Sequence, residues 1–474
     1  MALVVVIVLP RVLMGLFCLP VLSPDSYGYI DGARALRAGA LHEMLLYRTP
    51  GYAAFLALVG TFTDRVLEVV VFLQQLMGVL IGLLIFDTTL RLFKDRGVAL
   101  FAATLYALNV RFILYGQNVM TEIPFILLVC LTVWLVLICR ESGSSRAMAC
   151  AAVANGLAVL LRPVALIYSV IPALGLATRL TGDEPRTAGI RRAVVFMLIA
   201  NVLPGLWCLR NYHRHGFLGL SPTGQVFLVE HTASLIDHSS ELERPTKELI
   251  KRVALREGTF WNIALHTERE FRKENRDLLK MSEALGRINR EAILGSPWQY
   301  LKEVVPHVGY LLFGGGPNHS VFLKGPGNAP GAEIICPWKS VGIFYNPEGK
   351  GLVERVPLAL GRLASLPKLS LVVNFLRHPV AYWVLFTLFI VGLRRMARDR
   401  LLFTPEALLL LGSLAYLWLF PCLTVAGLER YRLAGEPMVM VIAAYGVDLG
   451  RFFPGCRRAP TASGDDRPEP APSA

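Results

Sequence analysis

The feature that most restricts this chain is a series of apolar runs, each near the length that crosses a bilayer. A hydrocarbon core of ~30 Å takes about 20 mostly apolar residues as a helix, because backbone groups there must be satisfied within the segment. Such runs read at 1–22, 67–90, 97–114, 119–139, 147–161, 163–178, 193–209, 377–393, 403–420 and 437–450. Arg162 and Pro163 divide the short pair 147–161 and 163–178, which reads as two tilted half-spans or one re-entrant pair. The expected fold class is therefore an all-α polytopic membrane protein, a transmembrane helix bundle of about ten spans. Composition agrees, since only 18% of the 474 residues are charged against about a quarter in soluble chains. The first run, MALVVVIVLPRVLMGLFCLP, lacks the basic start of a signal peptide and is expected to remain as a span, interrupted by Pro10 and Arg11.

The formal net charge of +13 would suggest nucleic acid in a soluble chain. Here its distribution explains it. Loops 91–97, 140–146, 179–192 and 394–400, with the C-terminal tail, fall on one side and hold 17 Lys and Arg, roughly twice the number in the short loops opposite. Basic loops face the cytoplasm, so 23–66, 111–121, 210–376 and 421–436 are expected to face outward. This divides the chain into a module 1–209 with its first outer loop at 23–66, a mainly helical extracytoplasmic domain 210–376, C-terminal spans 377–452, and a Pro-rich tail 453–474 expected to be disordered. Within the outer domain, SPWQYLKEVVPHVGYLLFGGG is too short and charged to span, and is expected on the membrane surface. FGGGPNHSVFLKGPGNAPG reads as loop. The eight cysteines form no CxxC pair or Cys/His cluster, so neither a zinc site nor a disulfide framework is indicated.

An acid, two tyrosines and several arginines stand directly after the first run, in PDSYGYIDGARALRAG (24–39). Ser23 suits an N-cap, Pro24 the first helical position, and Asp25 the first turn. Asp25, Tyr29 and Ala33 then share one face at i, i+4 and i+8. Asp25 either serves the helix dipole or faces a site at the membrane boundary. Arg48 follows in YRTPGY, ahead of a Thr-Pro-Gly turn. Glu122 opens the run in NVMTEIPFILL, where an acid equally suits a helix start. Arg162 stands before Pro163 among apolar residues, where an unpartnered cation is costly. Arg210 follows the seventh run in LPGLWCLRNYHRHGF, and is either a lipid-headgroup anchor or an anion ligand. Arg430, Tyr431 and Arg432 precede the last run in GLERYRLAGEP, as a site or an interfacial belt. His213 and His215, two apart in a loop with no acid nearby, make a poor metal pair.

Taken in order, these stretches resemble GT-C-type glycosyltransferases, in particular the broad bacterial group containing protein O-mannosyltransferases and lipid A aminoarabinose transferases. The matched pieces cover roughly a quarter of the chain. The resemblance implies a GT-C-like bundle and a first outer loop whose acid, Asp25, activates the acceptor, with Glu122 at a second acidic position. It implies donor-phosphate or substrate contacts from Arg48, Arg162, Arg210, Arg430, Arg432, Tyr29 and Tyr431. No metal ligand is assigned and no cofactor is called for; the resemblance leaves room for a divalent metal. Many relatives carry an acidic pair in the first loop where this chain has Asp25-Ser26.

The expected activity is an integral-membrane glycosyltransferase in a bacterial plasma membrane, its active site facing outward. No nucleotide sugars reach that face, so the donor is a sugar on a polyprenyl phosphate and the acceptor a hydroxyl on a glycan, lipid or protein. Attack opposite the leaving phosphate inverts the anomeric centre. The alternatives are a ligase or polymerase moving a whole glycan from undecaprenyl diphosphate, and a lipid-linked-sugar transporter. A transporter favours acids and breaks at symmetric positions within spans, and the chain has no such repeat.

Overall fold

The computed structural model describes residues 2–17, 20–40, 48–178, 185–257, 263–273, 277–313, 379–425 and 429–447. The expectations for the Gly/Pro loop, the rest of the outer domain and the C-terminal tail lie outside these residues. Within them the chain forms helices and their connections, with one isolated β-bridge, between Val21 and Asn118.

The membrane module begins with α1 (Ala2–Phe17), α2 (Pro24–Arg37), α3 (Pro50–Gly60), α4 (Val66–Phe93), α5 (Arg96–Leu108) and α6 (Val110–Gly116). It continues with α7 (Glu122–Ser142), α8 (Ser145–Leu161), α9 (Ala165–Tyr168), α10 (Val170–Ala177) and α11 (Arg186–His215). After five intervening α-helices among the described residues come α17 (Pro379–Arg398), α18 (Pro405–Thr424), α19 (Glu429–Arg432) and α20 (Glu436–Gly446). Among the described residues four helices are long and apolar enough to cross a membrane: α4, α7, most of α11, and α18. The count is five if α5 and α6, bent by 55°, are one span. Several other runs form shorter apolar helices, α3, α8, α9–α10 and α20 among them. The run 97–114 is broken because Asn109 leaves helical geometry and caps α6 through its side chain. The run 163–178 is likewise two short helices after Arg162, which ends α8 in extended backbone.

Ion pairs mark the two ends of the bundle. At one end Arg91 bonds Asp87 (2.6 Å) and pairs with Glu141, joining α4 to α7. Arg140 pairs with Glu406 (2.8 Å), adding the start of α18. The arginine-rich turns after α4 and α7 therefore lie together. Glu122 opens α7 and Arg140 closes it, roughly 27 Å away by helical rise. The helix starts and turns around Glu122 make the opposite end. Close approach is possible where glycine removes a side chain: a Cβ on Gly392 of α17 would lie 2.0 Å from the Ile442 carbonyl of α20.

Between α11 and α17 lie α12 (Thr223–Thr232), α13 (Arg244–Glu257), α14 (Ile263–Lys273), α15 (Leu278–Gly295) and α16 (Pro297–Phe313). Helices α12–α15 enclose a small core of their own around Val226, Leu249, Phe271, Leu285 and Ile288. The stretch from Pro297 is helix α16; its Tyr300 hydroxyl donates to the Leu423 carbonyl at the end of α18, and Trp298 is exposed.

Candidate active site

The site is assembled on a joint that neither helix pattern nor composition announces. Val21 N–H donates to Gln117 O (2.8 Å) and Val119 N–H to Val21 O (2.9 Å), so the segment before α2 lies against the segment before α7. Gln74 of α4 supports that joint, donating to Gly116 O (3.0 Å) and Asn118 O (2.7 Å) while accepting from Tyr52 (2.6 Å). Ser23 caps α2 and Pro24 opens it. Ser26, fully buried, accepts from Ser23 N–H (2.9 Å) and donates to Val119 O (2.8 Å). At the position where many relatives carry a second acid, this chain thus has a hydroxyl that welds α2 to the strand-like segment leading into Glu122.

Arg48 is placed by a second joint. Thr49 ends the loop and donates to Leu161 O (3.1 Å), and a Cβ on Gly51 would lie 2.6 Å from Leu160 O. The start of α3 therefore sits on the end of α8, where Arg162 follows. The Thr-Pro-Gly signal marks this contact: a cap, a proline at N1 and the one residue small enough to meet a backbone carbonyl.

Seven of the residues singled out in the sequence converge here. Asp25 receives Arg48 on Oδ1 and Arg430 on Oδ2, each at 2.7 Å. Arg430 also lies over the Tyr431 ring (5.2 Å) and donates to its hydroxyl (3.3 Å). Arg162 approaches the same ring at 5.5 Å. Arg162 in turn pairs with Glu122 (2.7 Å) and donates to Thr121 (2.9 Å). Tyr29 backs the cluster, its ring 5.0 Å from the Arg48 guanidinium and 5.0 Å, edge-on, from Tyr52. Helices α2, α7, α8 and α19 and the loop before α3 each contribute, from positions up to 405 residues apart.

The other two candidates sit differently. Arg432 is buried, pairing with Glu436 (3.2 Å), donating to the Leu311 and Leu312 carbonyls (both 3.1 Å) and stacking on Tyr382 (3.8 Å). Arg210 donates to Asn211 (2.9 Å) and lies over Trp207 (4.7 Å) on its own helix.

Charge decides what the cluster suits. Three guanidiniums face two carboxylates, leaving a net positive site at a helix-rich boundary, and arginine's planar fork matches phosphate oxygens. Burial alone would raise the Asp25 carboxyl, but Arg430 and Arg48 overcome it and hold Asp25 well below the usual carboxylate range. Both Asp25 oxygens are committed to guanidiniums. Glu122 is 1% exposed, and its Oε2 has no hydrogen-bond partner. One uncommitted carboxylate oxygen among cations does not fit a divalent metal, and among the described residues no group of three or more His, Cys, Asp or Glu is placed to hold one.

Sequence reasoning missed Glu436 and Arg111, which are linked to α19 through the Glu436–Arg432 pair. Arg111 Nη1 and Glu436 Oε1 are 3.1 Å apart, and Asn109 donates to Glu436 Oε2 (2.8 Å). Glu436 stands in the quoted GLERYRLAGEP, and an acid entering an apolar run is the signal that it needs buried partners.

Residues 47–205, about a third of the chain, match the family model for dolichyl-phosphate-mannose-protein mannosyltransferases. That segment contains Arg48, Glu122 and Arg162. No curated protein sequence matches the chain. Among solved structures, the chain is similar to the Archaeoglobus fulgidus oligosaccharyltransferase in complex with zinc and sulfate, at 14% identity and TM-score 0.47 over 94% of this chain and 49% of that one. It is also similar to the oligosaccharyltransferase AglB of the same organism in complex with an inhibitory peptide and a dolichol-phosphate, at 13% identity and TM-score 0.46, again over 94% and 49%. The chain spans about half the length of these structures. The match over residues 47–205 makes that segment similar to the dolichyl-phosphate-mannose-protein mannosyltransferases.

Proposed function

We propose that the chain transfers a sugar from a polyprenyl-phosphate donor to an acceptor hydroxyl, with inversion, at the extracytoplasmic face of a plasma membrane. The observation that carries this reading is Asp25, a carboxylate gripped between Arg48 and Arg430 at 2.7 Å on each side. The same guanidiniums are the natural ligands of a lipid-borne phosphate. The sidedness follows from the basic turns at the far end of the bundle, which positive-inside reasoning assigns to the cytoplasm.

In the free protein Asp25 is a weak base, because both of its oxygens are held by cations. An arriving phosphate competes for the same N–H groups. It draws Arg48 and Arg430 toward itself and brings negative charge beside Asp25, and both changes raise the affinity of the carboxylate for a proton. The acceptor oxygen then attacks the anomeric carbon from the side opposite the phosphate. Its proton passes to Asp25, the bond from the anomeric carbon to the phosphate oxygen breaks, and that electron pair leaves on the phosphate. Arg48 and Arg430 stabilise the charge as it develops, which is where preorganised donors act most strongly. Glu122 orients Arg162, and the Tyr431 ring between Arg162 and Arg430 keeps the two cations apart and in register.

The test is to incubate the purified protein in detergent with a panel of radiolabelled polyprenyl-phosphate sugars and membrane extract. Label moving from one donor into an extract component, as a single sugar by mass, is the expected result. Transfer only from a diphosphate-linked oligosaccharide, or from none of the panel, would contradict the reading.

A further inference from the structure

Next to the cluster, through Arg432, a single carboxylate is held by three side chains from two segments. Glu436 is fully buried. Its Oε1 accepts from Arg111 (3.1 Å) and Arg432 (3.2 Å), and its Oε2 from Asn109 (2.8 Å). Asn109 is the break between α5 and α6, and Arg111 lies in the first turn of α6. Helix α6 runs straight into the segment 117–121 that presents Glu122. Arg432 closes α19, two residues after Arg430. The two halves of the site, one carrying Glu122 and the other carrying Arg430, therefore meet at Glu436 and are related through its two oxygens.

A buried ion pair adds little net stability, because desolvation offsets most of the attraction. What it does supply is geometry, since each donor has one place from which to reach the shared carboxylate. Arg432 is fixed further by the Leu311 and Leu312 carbonyls and by the face of Tyr382. Pinning Arg432 fixes the backbone of α19 two residues from Arg430, whose guanidinium reaches Asp25 (2.7 Å).

We propose that Glu436 is a positioning residue of this site: by holding Asn109, Arg111 and Arg432 together it sets Arg430 and Glu122 at the spacing a lipid-borne phosphate requires. It touches neither donor nor acceptor. The inference rests on reading Arg430 as a ligand of the donor phosphate.

The test is a double-mutant cycle on the full-length protein in detergent, crossing Glu436→Gln and Asn109→Ala with Arg430→Ala. Glu436→Gln is expected to lower kcat/KM for the donor by about tenfold or more, and Asn109→Ala by about threefold, as for residues coupled through contacts. In the Arg430→Ala background neither is expected to cost anything further. Losses that multiply, or an unchanged donor kcat/KM in a folded Glu436→Gln protein, would overturn the proposal. Asn109→Ala carries the same comparison if Glu436→Gln does not fold. A readout independent of activity is the distance between nitroxides at Asp31 on α2 and Val425 beside α19. One narrow distribution that broadens in Glu436→Gln or Asn109→Ala is expected, and an unchanged distribution in both would overturn the proposal whatever the activity. If the distribution broadens while Arg430→Ala transfers sugar normally, the phosphate reading of Arg430 fails and the positioning role of Glu436 stands.

Discussion

At the scale of the residue, the account turns on how Asp25 holds a proton in two states. In the free protein its carboxyl lies below the ordinary range because Arg430 and Arg48 outweigh the effect of burial. Under the proposed function, a bound donor phosphate takes those guanidiniums and the carboxyl rises. The acid limb of kcat/KM reports the free enzyme and that of kcat the bound complex. The limb of kcat is therefore expected at higher pH than that of kcat/KM, checked by rate profiles against donor concentration; coincident limbs would mean that the phosphate leaves Asp25's partners in place. The same depressed carboxyl contributes stability above its unfolded value of about 4, which is lost as pH falls through the folded value. The residue types at this site were legible in the sequence because acids and arginines are costly beside apolar runs and need a reason. Their pairing was not. Arg430 meets Asp25 across 405 positions, and Arg111 meets Glu436 across 325, distances at which sequence spacing carries no geometric information.

At the scale of the element, helices were readable and joints were not. Hydrophobic runs, the cap at Ser23 and the proline at 24 announced α2 and its neighbours, because capping and periodicity are local. The division after Arg162 was visible and the bend at Asn109 was not, since tertiary partners decide where an apolar run breaks. The joint of α3 on α8 gives the clearest prediction here. Gly51→Ala places a methyl 2.6 Å from the Leu160 carbonyl, which is backbone and cannot swing away. Overpacking of this kind costs about 1–3 kcal/mol, read as a lower melting temperature in detergent. Because Thr49 and Gly51 seat the start of α3, Arg48 shifts as well, so donor KM is expected to rise along with the loss of stability. A stable variant with wild-type donor KM would show that this contact does not place Arg48.

At the scale of the whole molecule, the chain separates charge by function. One end of the bundle gathers basic turns with acids that offset them, as in Arg91 with Asp87 and Arg140 with Glu406. The other gathers Asp25, Arg48, Glu122, Arg162 and Arg430 into a net positive cluster. Under the proposed function, the phosphate of a lipid-borne donor and an acceptor hydroxyl meet at this cluster. The most direct measurement is the rate of sugar transfer by purified Asp25→Asn protein, with the same melting temperature as wild type at neutral pH or a corrected folded fraction. Loss of the base predicts a rate lower by ~10²–10⁴ with donor still bound through Arg48 and Arg430. Transfer at the wild-type rate would contradict the account.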